Sequence, residues 1–311
     1  MVTITDLSPG VWQISLPFQG EDNIVGSYLL AGKNELVIVD PGPGSMTEEL
    51  FAAVRMLGFE PEAVTWLLIT HVHLDHAGAA GSLVRQLPNV HVYAHSRGAP
   101  HLLDPSKIVA SASRIFGERM PLIWGEVEAI PQERLYNIDG DGVLEAAGRR
   151  FEVYYTPGHA SHHIIFFDPH SGELFAGDVA GVLLPGIDYV RPSTPPPDLD
   201  LEAWSKSIDV IKQLHPNVLY IGHFGAIRNP IQHLEQLRER LFVWGGDVLK
   251  GMQEGREETE IAEDLLARVQ PELLQAAMDA NLLERKDITT NYLMVVRGYM
   301  RYWRKKHPEY L

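Results

Sequence analysis

The sequence of 311 residues contains no cysteine, which excludes disulfides, thiolate zinc sites and cysteine nucleophiles. It also lacks any run of about 18 apolar residues, so we expect no membrane span and no membrane partner. Residues 1–6 show no basic segment leading into an apolar one, so no secretory signal is expected. Together these absences predict a cytoplasmic protein.

Positive charge is scarce as well. The chain has 26 Lys and Arg residues against 41 Asp and Glu residues, which gives a formal net charge of -15. Such a balance disfavours polyanionic partners, so we expect no nucleic acid partner and instead a small-molecule substrate. With 45% apolar residues, the composition supports one large domain, or one domain with a small one appended.

What is present is a mixture of short apolar runs and segments with helical spacing. The spacing predicts helices over 46–57 and 75–87, and strands over 61–70, 91–94, 151–156 and 162–167. Strands with intervening helices indicate a layered α/β fold. Residues 97–137 form a long insertion with helical stretches, and residues 231–311 are helical in pattern. We therefore expect a catalytic domain over 1–230 and a helical extension over 231–311.

The densest chemical signal is the run Thr70-His71-Val72-His73-Leu74-Asp75-His76, which follows an apolar segment. Imidazole and carboxylate groups at this density are typical of a site for zinc, iron or manganese. On a loop, His71 and His73 can reach one metal while Asp75 and His76 turn toward a second.

Three other predicted strands also end at a metal-capable side chain, beside or near a glycine. They end at Thr156-Pro157-Gly158-His159, at Ala176-Gly177-Asp178 and at Ile221-Gly222-His223. Glycine lets the backbone approach a ligand closely, and the carboxyl ends of strands are where sites form in layered α/β proteins. Four independent occurrences predict one shared site.

These motifs, with Asp40 after its own strand, resemble the metallo-β-lactamase superfamily of metallohydrolases in identity and order. The resemblance covers roughly residues 10–230 and implies an αββα sandwich with a dinuclear metal site at one edge. It implies that the first ion is bound by His71, His73 and His159. The second would be bound by Asp75, His76 and His223, with Asp178 bridging both and Asp40 steadying the loop.

Charge favours the same interpretation, because Asp75, Asp178 and a bridging hydroxide would offset most of the positive charge of two divalent cations. Without the ions, the two carboxylates would repel each other. A pair of metal ions can hold a hydroxide at neutral pH, and this hydroxide would attack a carbonyl carbon or a phosphorus. We therefore expect a hydrolase with two divalent ions, zinc first and iron or manganese as alternatives, in which Asp75 and Asp178 are the catalytic carboxylates.

The bond that is cleaved is less constrained, because one fold hosts many chemistries. The resemblance argues against a true β-lactamase, since those enzymes lack the bridging aspartate and many use a cysteine. The complete ligand set resembles glyoxalase II-type thioesterases and lactonases, so a small ester, thioester or lactone is the expected substrate. A phosphodiester hydrolase and an iron-dependent sulfur dioxygenase remain as alternatives.

Several nearby residues have two interpretations. His162 and His163 begin a predicted strand, whose alternation would turn at most one of them toward the metals. The insertion begins near Arg97 and would either cover the metal edge or pack as ordinary helix. Arg191 would either meet an anionic substrate group or form a surface salt bridge. Apolar residues of the insertion that look exposed are Ile108, Ile115, Phe116, Met120 and Trp124.

The last helical segment is basic and aromatic, with Arg297, Arg301 and Arg304 interleaved with Tyr302 and Trp303. The cations are expected to complement a helix C-terminus. The aromatic side chains are expected to pack on the core or on a second subunit, which would make the protein a homodimer.

Overall fold

The computed structural model describes residues 2–184, 186–277 and 292–310. By contacts, the chain divides into two compact units. The first comprises residues 1–155, 162–177 and 216–228, and the second comprises 156–161, 178–215 and 229–311. The predicted helical extension, 231–311, falls within the second unit, and its separation as a domain stays a prediction.

The first sheet lies in the first unit and has seven strands in chain order. Strands β1 to β4 pair antiparallel, and β4 to β7 pair parallel. The side chains of β4 are all buried, as expected for a parallel strand covered on both faces. The strands are β1 (Thr3–Ser8), β2 (Val11–Phe18), β3 (Glu21–Ala31), β4 (Leu36–Val39), β5 (Val64–Leu68), β6 (His91–His95) and β7 (Leu135–Ile138).

The second sheet has the strand order β14-β13-β11-β10-β9-β8, with β12 paired to β11. Its members are β8 (Gly142–Ala146), β9 (Arg149–Tyr155), β10 (Ile164–Asp168), β11 (Glu173–Leu184), β12 (Ile187–Arg191), β13 (Val218–His223) and β14 (Gly225–Ile227). Within the first unit, Leu30 and Val39 from one sheet share a buried cluster with Phe151, Phe166 and Tyr220 from the other. Burial of these apolar faces holds the sheets together.

A second apolar cluster covers the other face of the first sheet, where Ile38 and Leu67 pack with helical residues such as Leu50, Leu83 and Ile123. The helices of this unit are α1 (Thr47–Met56), α2 (Leu74–Ala77), α3 (Ala80–Gln86), α4 (Ala99–Leu103), α5 (Ser106–Phe116) and α6 (Met120–Trp124). A sheet-on-sheet core with helices outside agrees with the predicted layers.

The second unit carries the helices of the C-terminal part. They are α7 (Leu201–Gln213), α8 (Pro230–Gln253), α9 (Glu258–Ala276) and α10 (Tyr292–Lys306). Two hydrogen bonds join α10 to α8: the Tyr299 hydroxyl donates to Leu241 O at 2.9 Å, and Trp303 Nε1 donates to Gly245 O at 2.8 Å. Tyr302 is buried within this unit and donates to Glu202 at 2.6 Å, so packing on the core, the first of the two expected alternatives, is confirmed for Tyr302. A second subunit stays a prediction.

The single helix expected over 75–87 is instead two helices, α2 and α3, separated at residues 78–79. A Cβ on Gly78 would lie 3.1 Å from Gly44 N and 2.4 Å from Leu74 O. At the same point the Ala79 N–H donates to Gly42 O at 2.8 Å, so a distant loop interrupts the helical hydrogen bonding, and local spacing carries no sign of it. None of the described helices is long and apolar enough to cross a membrane.

Candidate metal centre

The site begins where two parallel strands end side by side. Val39 pairs with Leu68, and the Asp40 N–H donates to Leu68 O at 3.0 Å, so the segments after β4 and β5 start together. Asp40 has a φ of 51°, a left-handed conformation that aspartate tolerates better than most residues. The acid after β4 is thereby fixed beside the histidine-rich loop after β5.

The buried Asp40 carboxylate receives three hydrogen bonds from that loop. Oδ1 accepts the Thr70 N–H at 2.8 Å, while Oδ2 accepts the Thr70 hydroxyl at 2.6 Å and His76 Nδ1–H at 2.9 Å. A carboxylate bound to Nδ1 fixes the imidazole so that Nε2 is the nitrogen left for a metal. This agrees with the expectation that Asp40 steadies the loop.

Asp75, His76 and His223 form one donor set within the first unit. Their ligand atoms all lie within 4.8 Å of one another, and Asp75 Oδ2 is 3.2 Å from His223 Nε2 and 4.0 Å from His76 Nε2. His223 Nδ1 donates to Ile24 O at 2.6 Å, so its Nε2 faces the set for the same reason as in His76. These three residues are the ones predicted to bind the second ion.

His71 lies at the centre of the histidine cluster. Its ring centroid is 4.6 Å from that of His73 and 4.0 Å from that of His76, and the residue is 1% exposed. His71 Nδ1 is 3.1 Å from the Thr70 hydroxyl, which also donates to Asp40. One short loop thus carries His71 and His73, the two histidines predicted to bind a first ion, together with Asp75 and His76 of the second set.

His159 and Asp178 belong to the second unit and lie together there. His159 Nε2 is 3.6 Å from Asp178 Oδ2, and His159 Nδ1 donates to Ser193 O at 2.8 Å. Gly158 before it has a φ of 139°, and a Cβ there would lie 2.3 Å from Trp204 Cα, so only glycine fits. The gathering of all seven predicted ligands around one pair of ions stays a prediction.

His162 and His163 differ from expectation, because β10 begins at Ile164 and strand alternation does not apply to them. Both are buried beside the ligand loop, the segment 70–76 that follows β5. His162 Nδ1 accepts the Val72 N–H at 3.3 Å, and the His163 ring stacks on His71 with centroids 5.1 Å apart. The histidine pair after His159 was a signal for this cluster, but the pattern predicted the wrong start of the strand.

The insertion over 97–137 borders this loop. A Cβ on Gly98 would lie 2.7 Å from Val72 Cγ1, so the insertion starts in contact with the segment between His71 and His73. The prediction of exposed apolar residues is only partly right: Ile115 is 52% exposed, while Met120 and Trp124 are buried. Trp124 packs on Phe18 with ring centroids 5.1 Å apart.

Arg191, expected at the surface or facing an anionic substrate group, is buried in the second unit. Burial raises the pKa of the nearby Tyr292 hydroxyl, and the positive charge of Arg191 opposes that shift. A surface salt bridge is therefore the wrong description of Arg191.

The donors of the first unit fit divalent metal ions by their chemistry. The set consists of imidazoles and carboxylates, which suit zinc and also accept iron or manganese. Nδ1 of His76 is hydrogen-bonded to the Asp40 carboxylate, and Nδ1 of His223 is hydrogen-bonded to the Ile24 carbonyl. Hydrogen bonds of this kind orient metal-binding imidazoles.

Replacing Asp40 by asparagine is expected to weaken zinc binding by about 10- to 100-fold, the usual effect of losing a partner behind a metal ligand. The amide can still accept the Thr70 N–H, but its NH₂ group cannot accept from His76 and the Thr70 hydroxyl. Zinc affinity is measured by competition with a chromophoric chelator, with Asp188→Asn, an exposed aspartate, as control. Unchanged affinity in Asp40→Asn would show that Asp40 does not support the site.

Comparison with known proteins agrees with the family resemblance seen in the sequence. Residues 21–223 match the sequence profile of the metallo-beta-lactamase superfamily. A metallo-beta-lactamase family protein from Thermus thermophilus superimposes with a TM-score of 0.72 at 24% identity, covering 97% of this chain and 95% of that one. Its similarity confirms the predicted fold class, including the helical C-terminal extension.

Two curated relatives carry more specific names. The atrochrysone carboxyl ACP thioesterase of Aspergillus fumigatus is 26% identical over 278 residues, which is 87% of this chain and 74% of the relative. Hydroxyacylglutathione hydrolase GloC of Haemophilus influenzae is 31% identical over 153 residues, 49% of this chain and 65% of the relative. The chain belongs to the metallo-beta-lactamase superfamily.

Proposed function

We propose that the protein is a hydrolase that uses two divalent metal ions to cleave a small thioester. The observation that carries the proposal is the convergence of Asp75, His76 and His223, with His71 and His73 on the same loop. The names of both relatives point to thioesters: one is a thioesterase, and the other hydrolyses an acylated glutathione. Ester and lactone substrates share the same carbonyl chemistry and rank behind the thioester.

In such sites a pair of divalent ions supplies Lewis acidity and lowers the pKa of a water molecule. His71, His73 and His159 would hold one ion, Asp75, His76 and His223 the other, and Asp178 would contact both. Zinc is the first choice for this set, with iron and manganese as alternatives.

The chain's own residues have distinct tasks in this proposal. Asp40 and the Ile24 carbonyl fix the tautomers of His76 and His223. Both rings therefore present Nε2 to a metal ion, and neither ring has to reorient during the reaction. The Asp75 carboxylate is 25% exposed, so it can orient the attacking water and accept its proton. Thiolate departure needs little help, because thiols are far more acidic than alcohols.

A matched substrate panel tests the proposal. The zinc-loaded protein is assayed with an S-acyl thioester, the corresponding lactone and bis-p-nitrophenyl phosphate, with Asp75→Asn as the control of reduced activity. The highest kcat/KM is expected for the thioester, with a loss of roughly 10²-fold or more in Asp75→Asn, in line with loss of a proton acceptor.

Other outcomes would replace the proposal with a named alternative. Preference for the phosphodiester would make the protein a phosphodiesterase, although a net charge of -15 disfavours large polyanions. Oxygen consumption with an iron-loaded protein and a persulfide, in place of hydrolysis, would make it a dioxygenase.

A further inference from the structure

Arg97 stands two residues after β6, at the edge of the first sheet where the metal-binding loop also begins. Its Nη1 donates to the Tyr155 hydroxyl at 2.9 Å, and its guanidinium lies 5.4 Å from the centre of the Tyr155 ring. The Arg97 N–H donates to His95 Nδ1 at 3.1 Å, and the His95 ring stacks on Tyr155 with centroids 4.5 Å apart. The guanidinium of Arg97 is thus held by Tyr155, and its backbone N–H is held by His95, which stacks on Tyr155.

The position is adjacent to the ligand loop. Gly98, the next residue, packs against Val72 between His71 and His73, and against His162. Strand β6 runs parallel to β5, with Tyr93 opposite Leu68, so the segments that follow them leave the sheet at the same end. Arg97 is therefore one residue from Gly98, which contacts Val72 in the loop that carries His71 and His73.

Arg97 differs from several other arginines of the chain in its partners. Arg85, Arg149 and Arg297 each form an ion pair with a carboxylate. Arg97 forms none with any residue in the described part of the chain, although acids outnumber bases overall. Its side chain is exposed, yet a tyrosine hydroxyl and ring hold it in one place.

We propose that Arg97 binds an anionic oxygen group, a carboxylate or a phosphate, on the thiol part of the substrate. A guanidinium can donate two parallel hydrogen bonds to either group, which a lysine or an amide cannot reproduce. Because Tyr155 already restrains the side chain, little further conformational entropy is lost on binding. The inference rests on the proposed thioester hydrolysis and assigns the substrate's charged end.

Two anionic ligands and one neutral ligand distinguish the sources of the anion. S-hexylglutathione supplies carboxylates, phosphopantetheine supplies a phosphate, and N-acetylcysteamine is a neutral thiol. Binding to the zinc-loaded protein is measured by calorimetry for wild type, Arg97→Gln and Arg97→Lys. Arg114→Gln, which removes an exposed cation elsewhere in the insertion, is the control for net charge.

Arg97→Gln is expected to weaken at least one anionic ligand by about 10- to 30-fold and to leave the neutral ligand unchanged, in line with the loss of charge-assisted hydrogen bonds. Arg97→Lys should recover part of the affinity, and Arg114→Gln should match wild type. The ligand that responds identifies the group as carboxylate or phosphate. Equal binding of both anionic ligands by wild type and Arg97→Gln would overturn the inference.

Kinetics separates this inference from the proposed function. With an anionic thioester, Arg97→Gln should raise KM with kcat retained, while a neutral S-acyl-N-acetylcysteamine should be hydrolysed as by wild type. If no thioester is hydrolysed but anion binding still depends on Arg97, the proposed reaction fails and the anion site stands. If thioesters are hydrolysed, but wild type and Arg97→Gln have the same KM for the anionic thioester, the proposed reaction stands and the anion site fails.

Discussion

Asp178→Ala is expected to lower kcat for thioester hydrolysis by about 10³-fold and to leave roughly one metal ion per chain in place of two. Asp178 is buried, and its Oδ2 lies 3.6 Å from His159 Nε2, so its carboxylate is aimed at a predicted metal ligand. If Asp178 contacts both ions as predicted, its loss removes a ligand from each and raises the net positive charge of the pair. Metal content by mass spectrometry and steady-state kinetics measure the two effects.

The control for this variant is Asp188→Ala, which removes an exposed carboxylate in the same unit. It should retain wild-type metal content and activity. Asp178→Ala with two ions per chain and normal kcat would show that Asp178 neither bridges the ions nor takes part in the reaction.

Gly298→Ala is expected to destabilise the protein by about 3 kcal/mol or more, because the added methyl group has no space. Gly298 lies in α10, where a Cβ would sit 1.7 Å from the Thr194 carbonyl oxygen and 2.8 Å from its carbon. Glycine to alanine in a helix usually stabilises by about 0.5–1 kcal/mol, so the close packing reverses the sign. Urea denaturation followed by circular dichroism measures the change in free energy of unfolding.

Gly246→Ala is the matched control, since Gly246 lies in α8 with nothing within 4 Å of an added Cβ. Gly246→Ala should slightly raise the urea concentration at the midpoint of unfolding. If Gly298→Ala and Gly246→Ala shifted the midpoint of urea unfolding in the same direction, α10 would not pack against residue 194 in solution.

The ligand loop was predictable because its chemistry is local. His71, His73, Asp75 and His76 stand within six residues after an apolar run, so spacing alone indicates a metal site at a strand end. The role of Asp40 is less local, since it depends on parallel pairing of β4 with β5. Only the resemblance to a known family indicated that role from the sequence.

What sequence reasoning missed depends on contacts between distant segments. At the break between α2 and α3, the Ala79 N–H donates to Gly42 O, more than 30 residues away in sequence. Strand β10 starts two residues later than its pattern indicates, and His162, just before it, accepts the Val72 N–H. Likewise, residues 216–228 belong to the first compact unit while 178–215 belong to the second, an alternation that no local composition marks.

The central claim is that hydrolysis depends on metal ions held by these residues, and metal reconstitution tests it most directly. The protein is stripped with a chelator, titrated with zinc, and assayed with a thioester after each addition. We predict that activity is absent in the stripped protein and reaches a plateau at about two zinc ions per chain, as expected for a dinuclear site. Full hydrolytic activity in protein that contains no metal would contradict the account.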